Sequence, residues 1–138
     1  MSHFTKVATK IKNLVLLTQA LKDLNYETVE GSEQVQVRGW HGALEKADLV
    51  VKASKTYDIG VKLNAETGSY EFVADWWGVE TTRGVSQKDF VDQVMRRYAY
   101  HVVTSEVKAR GYQIVEEENK TDQTVAITVR RWVGEEGA

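Results

Sequence analysis

The chain has 138 residues, a formal net charge of −2, and a composition that is 28% charged and 42% apolar. That balance predicts one ordinary globular domain with enough apolar surface for a real core. It contains no cysteine, which excludes disulfides, thiolate metal sites, iron–sulfur ligation and a cysteine nucleophile. The longest apolar run, Leu14 to Leu17, predicts no membrane span, and the near-neutral charge gives no global pull toward nucleic acid or anionic lipid. Met1-Ser2-His3-Phe4-Thr5-Lys6 lacks the apolar region of a signal peptide, so a cytoplasmic protein is expected.

Phe4 to Ile11 reads as a first strand. Leu14, Leu17, Leu21 and Leu24 then recur on one face of a helix, with Asn13 placed as its N-cap and Asn25 as its left-handed C′ residue. Two short strands, about Tyr26–Glu30 and Gln34–Gly39, follow as a hairpin. Leu49, Val51 and Ala53 suggest the next strand. Tyr57, Ile59, Val61 and Leu63 alternate in another, and Tyr70, Phe72, Ala74 and Trp76 return on its partner. Asp75-Trp76-Trp77-Gly78 opens a long loop through Val85. A second helix spans about Gln87 to Arg110, capped by Ser86 with Asp89 three residues on, and buries Phe90, Val91, Val94, Met95, Tyr98 and Val102. Tyr112–Glu118 and Thr124–Trp132 close the chain as strands.

A partial repeat organises this order. Leu21-Lys22-Asp23-Leu24-Asn25-Tyr26-Glu27-Thr28-Val29-Glu30 lines up with Val107-Lys108-Ala109-Arg110-Gly111-Tyr112-Gln113-Ile114-Val115-Glu116, and Val35 to Trp40 lines up with Ile127 to Trp132. The second copy has six more residues between its halves. The expectation is an α+β fold, β-α-β-β-β-β-β-α-β-β, in which one mainly antiparallel sheet carries both helices on one face. Residues 1–133 are expected to form a single α+β domain and 134–138 a short flexible tail.

Met1-Ser2-His3-Phe4, Lys10-Ile11-Lys12-Asn13-Leu14, Tyr57-Asp58-Ile59-Gly60, Val73-Ala74-Asp75-Trp76-Trp77, Arg97-Tyr98-Ala99-Tyr100-His101 and Val129-Arg130-Arg131-Trp132 together resemble the family called hypothetical chloroplast reading frame 35. The similarity covers nearly the whole chain. It implies a cyanobacterial, plastid or cyanophage source and a cytosolic or stromal location. It carries over no catalytic or binding residue. Helix ends in that family usually carry Gly, and Asn25 departs from this.

Strand parity marks the first candidate site. With Val35 and Val37 on one face, Arg38 and Trp40 fall on the other; with Val125, Ile127 and Val129 inward, Arg130 and Trp132 fall outward. Two Arg–Trp pairs on the face away from the helices could stack bases, hold a planar ligand or anchor a protein. A bulge at Gly39 or Arg131, the central strands, or a second subunit would instead cover them. Asp75 could orient a ligand or hold an indole N–H. Of Trp76 and Trp77, alternation lets only one fill the core, leaving the other as a contact residue. Arg97, His101, Thr104 and Lys108 form a polar helix stripe that could hold phosphate or an acidic patch, or simply be solvated. His101 alone could serve as a base or a structural group.

No metal-ligand spacing, phosphate-binding glycine loop or nucleophile elbow occurs, and no cofactor or metal is expected. The leading reading is a non-catalytic accessory protein that recognises a protein partner through an aromatic–basic sheet face, with a homodimer possible. A single-stranded nucleic-acid module is an alternative, which the acidic pI of about 5.9 opposes. A small-ligand binder or enzyme with a pocket near Asp75, Trp77 and His101 is another.

Overall fold

The computed structural model describes residues 4–38, 44–119 and 125–131. The elements run β1 (Thr5–Ala8), α1 (Leu14–Asp23), β2 (Glu27–Arg38), β3 (Leu44–Lys52), β4 (Asp58–Asn64), β5 (Ser69–Ala74), α2 (Trp76–Arg83), α3 (Gln87–Ala109), β6 (Tyr112–Asn119) and β7 (Val125–Arg131). The fold is α+β, and all strand pairs among the described residues are antiparallel.

The helix signals act as their chemistry requires. Asn13 accepts from Leu16 N and caps α1; Ser86 accepts from Asp89 N and caps α3. Asn25 follows α1 at φ 66° and Gly111 follows α3 at φ 85°, so equivalent positions of the repeat leave their helices by the same left-handed turn. At Asn25 this is tolerated because a short amide side chain is one of the few that visit that region. Leu17 and Leu21 of α1, with Phe90 and Val94 of α3, bury completely against Leu49, Val51, Ile59, Val61 and Phe72 of the sheet. Each such burial contributes roughly 1.5–3 kcal/mol, against about 1 kcal/mol for a typical cap. Phe90 is the hub, meeting Phe72 and Tyr26 edge-on at 5.2 and 5.5 Å and Trp76 at 5.8 Å. Tyr98 Oη accepts from Lys12 N and Asn13 N, fixing the start of α1 on α3.

Five features depart from the sequence pattern. The hairpin expected around residues 31–33 is absent: both halves join in one strand, β2, paired along β3. Glu30 sits opposite Leu49 and Val35 opposite Ala47, so four residues of β2 bulge against the single Asp48. With a nine-residue β3 alongside, both halves pair with the same strand on either side of that bulge. The longer connection in the second copy instead lets β6 and β7 fold back on each other.

Second, the strands form two sheets rather than one. A five-stranded sheet has order β1-β5-β4-β3-β2, and β6-β7 is a separate ribbon. Third, β1 stops at Ala8, because Thr9 Oγ1 bonds Tyr70 O and leads the chain out of the ladder.

Fourth, residues 76–83, expected as a strand end and loop, make the extra helix α2. Asp75 caps it and Gly84 ends it at φ 84°. Fifth, the expected α3 stripe holds from Phe90 to Tyr98, but Val102 is 38% exposed and Thr104 is buried in its stead. The proposed tail, 134–138, lies outside the described residues.

Candidate functional site

The β5–α2 junction separates the paired tryptophans. Trp76 enters the core, its Nε1 donating to Thr5 O at 3.1 Å. Trp77 is 56% exposed, the most exposed aromatic among the described residues. Helical geometry, rather than strand alternation, produces the split. Asp75 Oδ1 accepts from Gly78 N at 3.2 Å, while Oδ2 is buried with no hydrogen-bond partner among the described residues. The Tyr57 ring lies flat on Gly78, where a Cβ would stand 1.9 Å from Cε1. Burial first, and then the Asp75 charge, push the Tyr57 phenol above its ordinary pKa. Trp77 opens onto a groove of about 650 Å³ floored by Val7 and Val91 and edged by Glu80, Lys88 and Asp92.

A second constellation joins α1 to α3. The last residue of α1, Asp23, receives Arg97 Nε and Nη2 at 3.1 and 2.7 Å on Oδ2, and His101 Nε2 lies 2.6 Å from the same oxygen. Burial alone would raise the Asp23 carboxyl. The bonds and charges of Arg97 and His101 outweigh it and hold the group below its ordinary pKa. Arg97 Cζ stacks 4.4 Å over the Tyr100 ring, whose hydroxyl donates to Glu117 on β6. The stripe Arg97–His101 thus meets a partner that the sequence reading missed. Its one signal was a carboxylate at a helix C-terminus, where the dipole disfavours it unless a cation is close.

A family model described as a protein of unknown function, DUF1257, matches residues 20–128. The chain belongs to the DUF1257 family. The "Uncharacterized protein ycf35" of Cyanophora paradoxa is 31% identical over 135 residues, covering 96% of this chain and 98% of that one. The proteins of the same description from Pyropia yezoensis and Guillardia theta are 30% and 31% identical over 138 residues, with the same shares covered. These bear out the resemblance to chloroplast reading frame 35, and the relatives come from plastid-bearing organisms. No solved structure matches the chain. No helix among the described residues is long and apolar enough to cross a membrane.

The DUF1257 region includes Arg38, Asp75, Trp77, Arg97 and His101; Arg130 and Trp132 lie beyond it. Arg38 is tied inward. Its Nε and Nη2 reach Asp58 at 3.0 and 2.8 Å, and its other contacts go to Ser54 O and Lys55 O. The Asp58 hydrogen bond raises the Arg38 pKa further. This guanidinium fastens the end of β2 to the β3–β4 turn. Arg130 sits on β7, exposed, with Nη2 bonded to Gln113 Oε1 at 2.6 Å. Arg38 and Arg130 therefore belong to different sheets. Trp40 and Trp132 lie outside the described residues. No groove described here is lined by both Trp77 and His101, and Asp75 lines none of them. Among the described residues, no three His, Asp or Glu side chains converge as metal ligands.

Proposed function

We propose that this DUF1257 protein is a non-catalytic binding protein of the plastid stroma or cytoplasm, and that it grips a protein partner at the Trp77 groove. The observation that carries this is the 56% exposure of the Trp77 indole, which lines a groove, while Trp76 beside it is buried in the core. Tryptophan is among the residues most enriched where interfaces concentrate their energy.

The edges of the groove say what sort of segment fits. Glu80 and Asp92 carry two negative charges against the one positive charge of Lys88, which already pairs with Asp92 at 2.7 Å. A partner segment with a lysine or arginine would lay its stem on Trp77 and its charge toward Glu80, gaining a cation–π contact.

Capture from an algal plastid extract tests this, with wild type, Trp77→Ala and Glu80→Lys as baits. The expected result is a protein whose recovery falls by about tenfold or more with both variants, and that elutes as salt is raised. Equal recovery on all three baits would remove the groove from consideration.

A further inference from the structure

The β6–β7 ribbon is underprovided. Two strands alone are marginal in water, and a stable sheet generally needs a third strand or a covered apolar face. Here α3 covers only part of that face. Val125 and Ile127 line a groove with α3, and strand alternation puts Val129 on the same face, yet Val129 is 38% exposed, and Val103 of α3 is 48% exposed. A groove of about 430 Å³ remains between Ala99, Tyr100 and Val103 on α3 and Val125 and Ile127 on β7. Its strand wall is β7 alone, and the outer edge of β7 carries no strand among the described residues.

We propose that the strand completing this ribbon is β7 of a second copy, paired antiparallel about a two-fold axis through Thr128, to make a four-stranded sheet β6-β7-β7′-β6′. The charges select this occupant. One end of the ribbon is acidic, with Glu116, Glu117 and Glu118 exposed, and the other is basic, with Arg130 and Arg131 exposed. A ribbon of this polarity is complementary to itself turned end for end, which is what an isologous interface requires.

The register follows. β7 runs Val125–Arg131 with Thr128 at its centre, so centred pairing uses its whole length. It sets Ile127 beside Val129 of the second copy on the helix side, closing the exposed apolar strip. On the other side it sets Arg130 of the second copy beside Ala126, whose own neighbour on β6 is Glu118. Strands stand about 4.8 Å apart, so Glu118 is roughly 10 Å from that arginine's backbone, within reach of its side chain across the small alanine. The Trp77 groove lies along the first turns of α3, roughly 15 Å of helix away, and stays open in this assembly.

The test uses the purified full chain, which makes it independent of any partner for Trp77. Sedimentation should give twice the 15.6 kDa chain mass at micromolar concentration. Arg130→Glu should weaken association by about tenfold, and the double variant Glu118→Arg/Arg130→Glu should restore it. The chain has no cysteine of its own, so single cysteines report the register. Thr128→Cys should cross-link to itself on oxidation, because paired positions meet the disulfide distance. Ala126→Cys should not, lying roughly 13 Å from its own copy. A wild-type chain that stays monomeric to about 100 µM, or a dimer in which Ala126→Cys cross-links as well as Thr128→Cys, overturns the proposal. So does a dimer that the charge swap fails to rescue, provided the variants melt with wild-type cooperativity.

Discussion

His101 Nε2 and Asp23 Oδ2 lie 2.6 Å apart across the α1–α3 contact, on the oxygen that Arg97 also bonds twice. Asp23 is therefore worth more to the fold ionised than protonated. Its folded-state pKa is depressed, so its stabilisation is present above the ordinary value of 3.8 and is lost as pH falls through the lower folded value. The pair is partly solvated, with Asp23 32% and Arg97 28% exposed, which keeps the effect small. Asp23→Asn should cost about 0.5–1 kcal/mol at pH 7. Urea unfolding at pH 7 and at pH 2.5 separates charge from packing: the difference between variant and wild type should shrink toward zero at the lower pH. An equal deficit at both would show that shape, not charge, holds the two helices together here.

Asp58 is fully buried, and Arg38 binds it through guanidinium Nε and Nη2 and through its backbone N–H. Removing the guanidinium leaves the carboxylate, among the described residues, with the backbone N–H of position 38 at 2.8 Å and the Lys52 ammonium at 3.6 Å. Arg38→Ala should then destabilise by about 3–5 kcal/mol, the usual consequence of stranding a buried charge. Arg38→Lys should recover only part of this, since an ammonium cannot fork across both oxygens. Thermal melts of the two variants, with circular dichroism to confirm the fold, measure it. A loss below about 1 kcal/mol would mean that water reaches Asp58 when the arginine is gone.

Gly78 has no room for a methyl group. A Cβ there would fall 1.9 to 2.3 Å from three atoms of the Tyr57 ring, and Tyr57 is itself 6% exposed and locked in the core cluster. Gly78→Ala should lose at least 1–3 kcal/mol through overpacking, although alanine is the better helix former by about 1 kcal/mol. The double variant Gly78→Ala/Tyr57→Leu should be less unstable than the sum of its parts, which a double-mutant cycle reads directly.

The local layer of this fold was written in local sequence. Asn13, Asn25, Ser86 and Gly111 set four helix ends, because capping and left-handed turns depend on the chemistry of one residue and its near neighbours. The alternation of Ile59, Val61 and Phe72 marked the central strands for the same reason. What misled was competition at longer range. Gly31-Ser32-Glu33 is good turn chemistry, yet β3 pairs with both flanking halves, and the segment is spent on a bulge within β2 in place of a hairpin turn. Asp75-Trp76-Trp77-Gly78 continues an alternating strand by pattern, yet Asp75 is also an N-cap, and the cap prevails.

The same limit applies to the candidate residues. Arg97 and His101 could be grouped by helical spacing, but the carboxylate between them comes from α1. Arg38 was legible as a charged residue at a strand end, and nothing near it in sequence announced Asp58, twenty residues away.

Asp75 plays two parts that substitution can separate. Oδ1 caps α2 through Gly78 N, and Oδ2 is buried with no partner among the described residues. A cap residue replaced by alanine costs about 0.5–2 kcal/mol, so Asp75→Ala should destabilise by that amount. Asp75→Asn keeps an oxygen for the cap and removes the charge, exchanging the orphaned oxygen for an amide that can donate. Asp75→Asn should match or exceed wild-type stability at pH 7, because an unsatisfied charged group in the interior costs more than a neutral one. A charge close to the Tyr57 ring also disappears, so the Tyr57 phenol should titrate lower in the asparagine variant, as followed by ultraviolet absorbance. Asparagine and alanine variants losing equal stability would show that the second oxygen, and not the cap, is the part the fold uses.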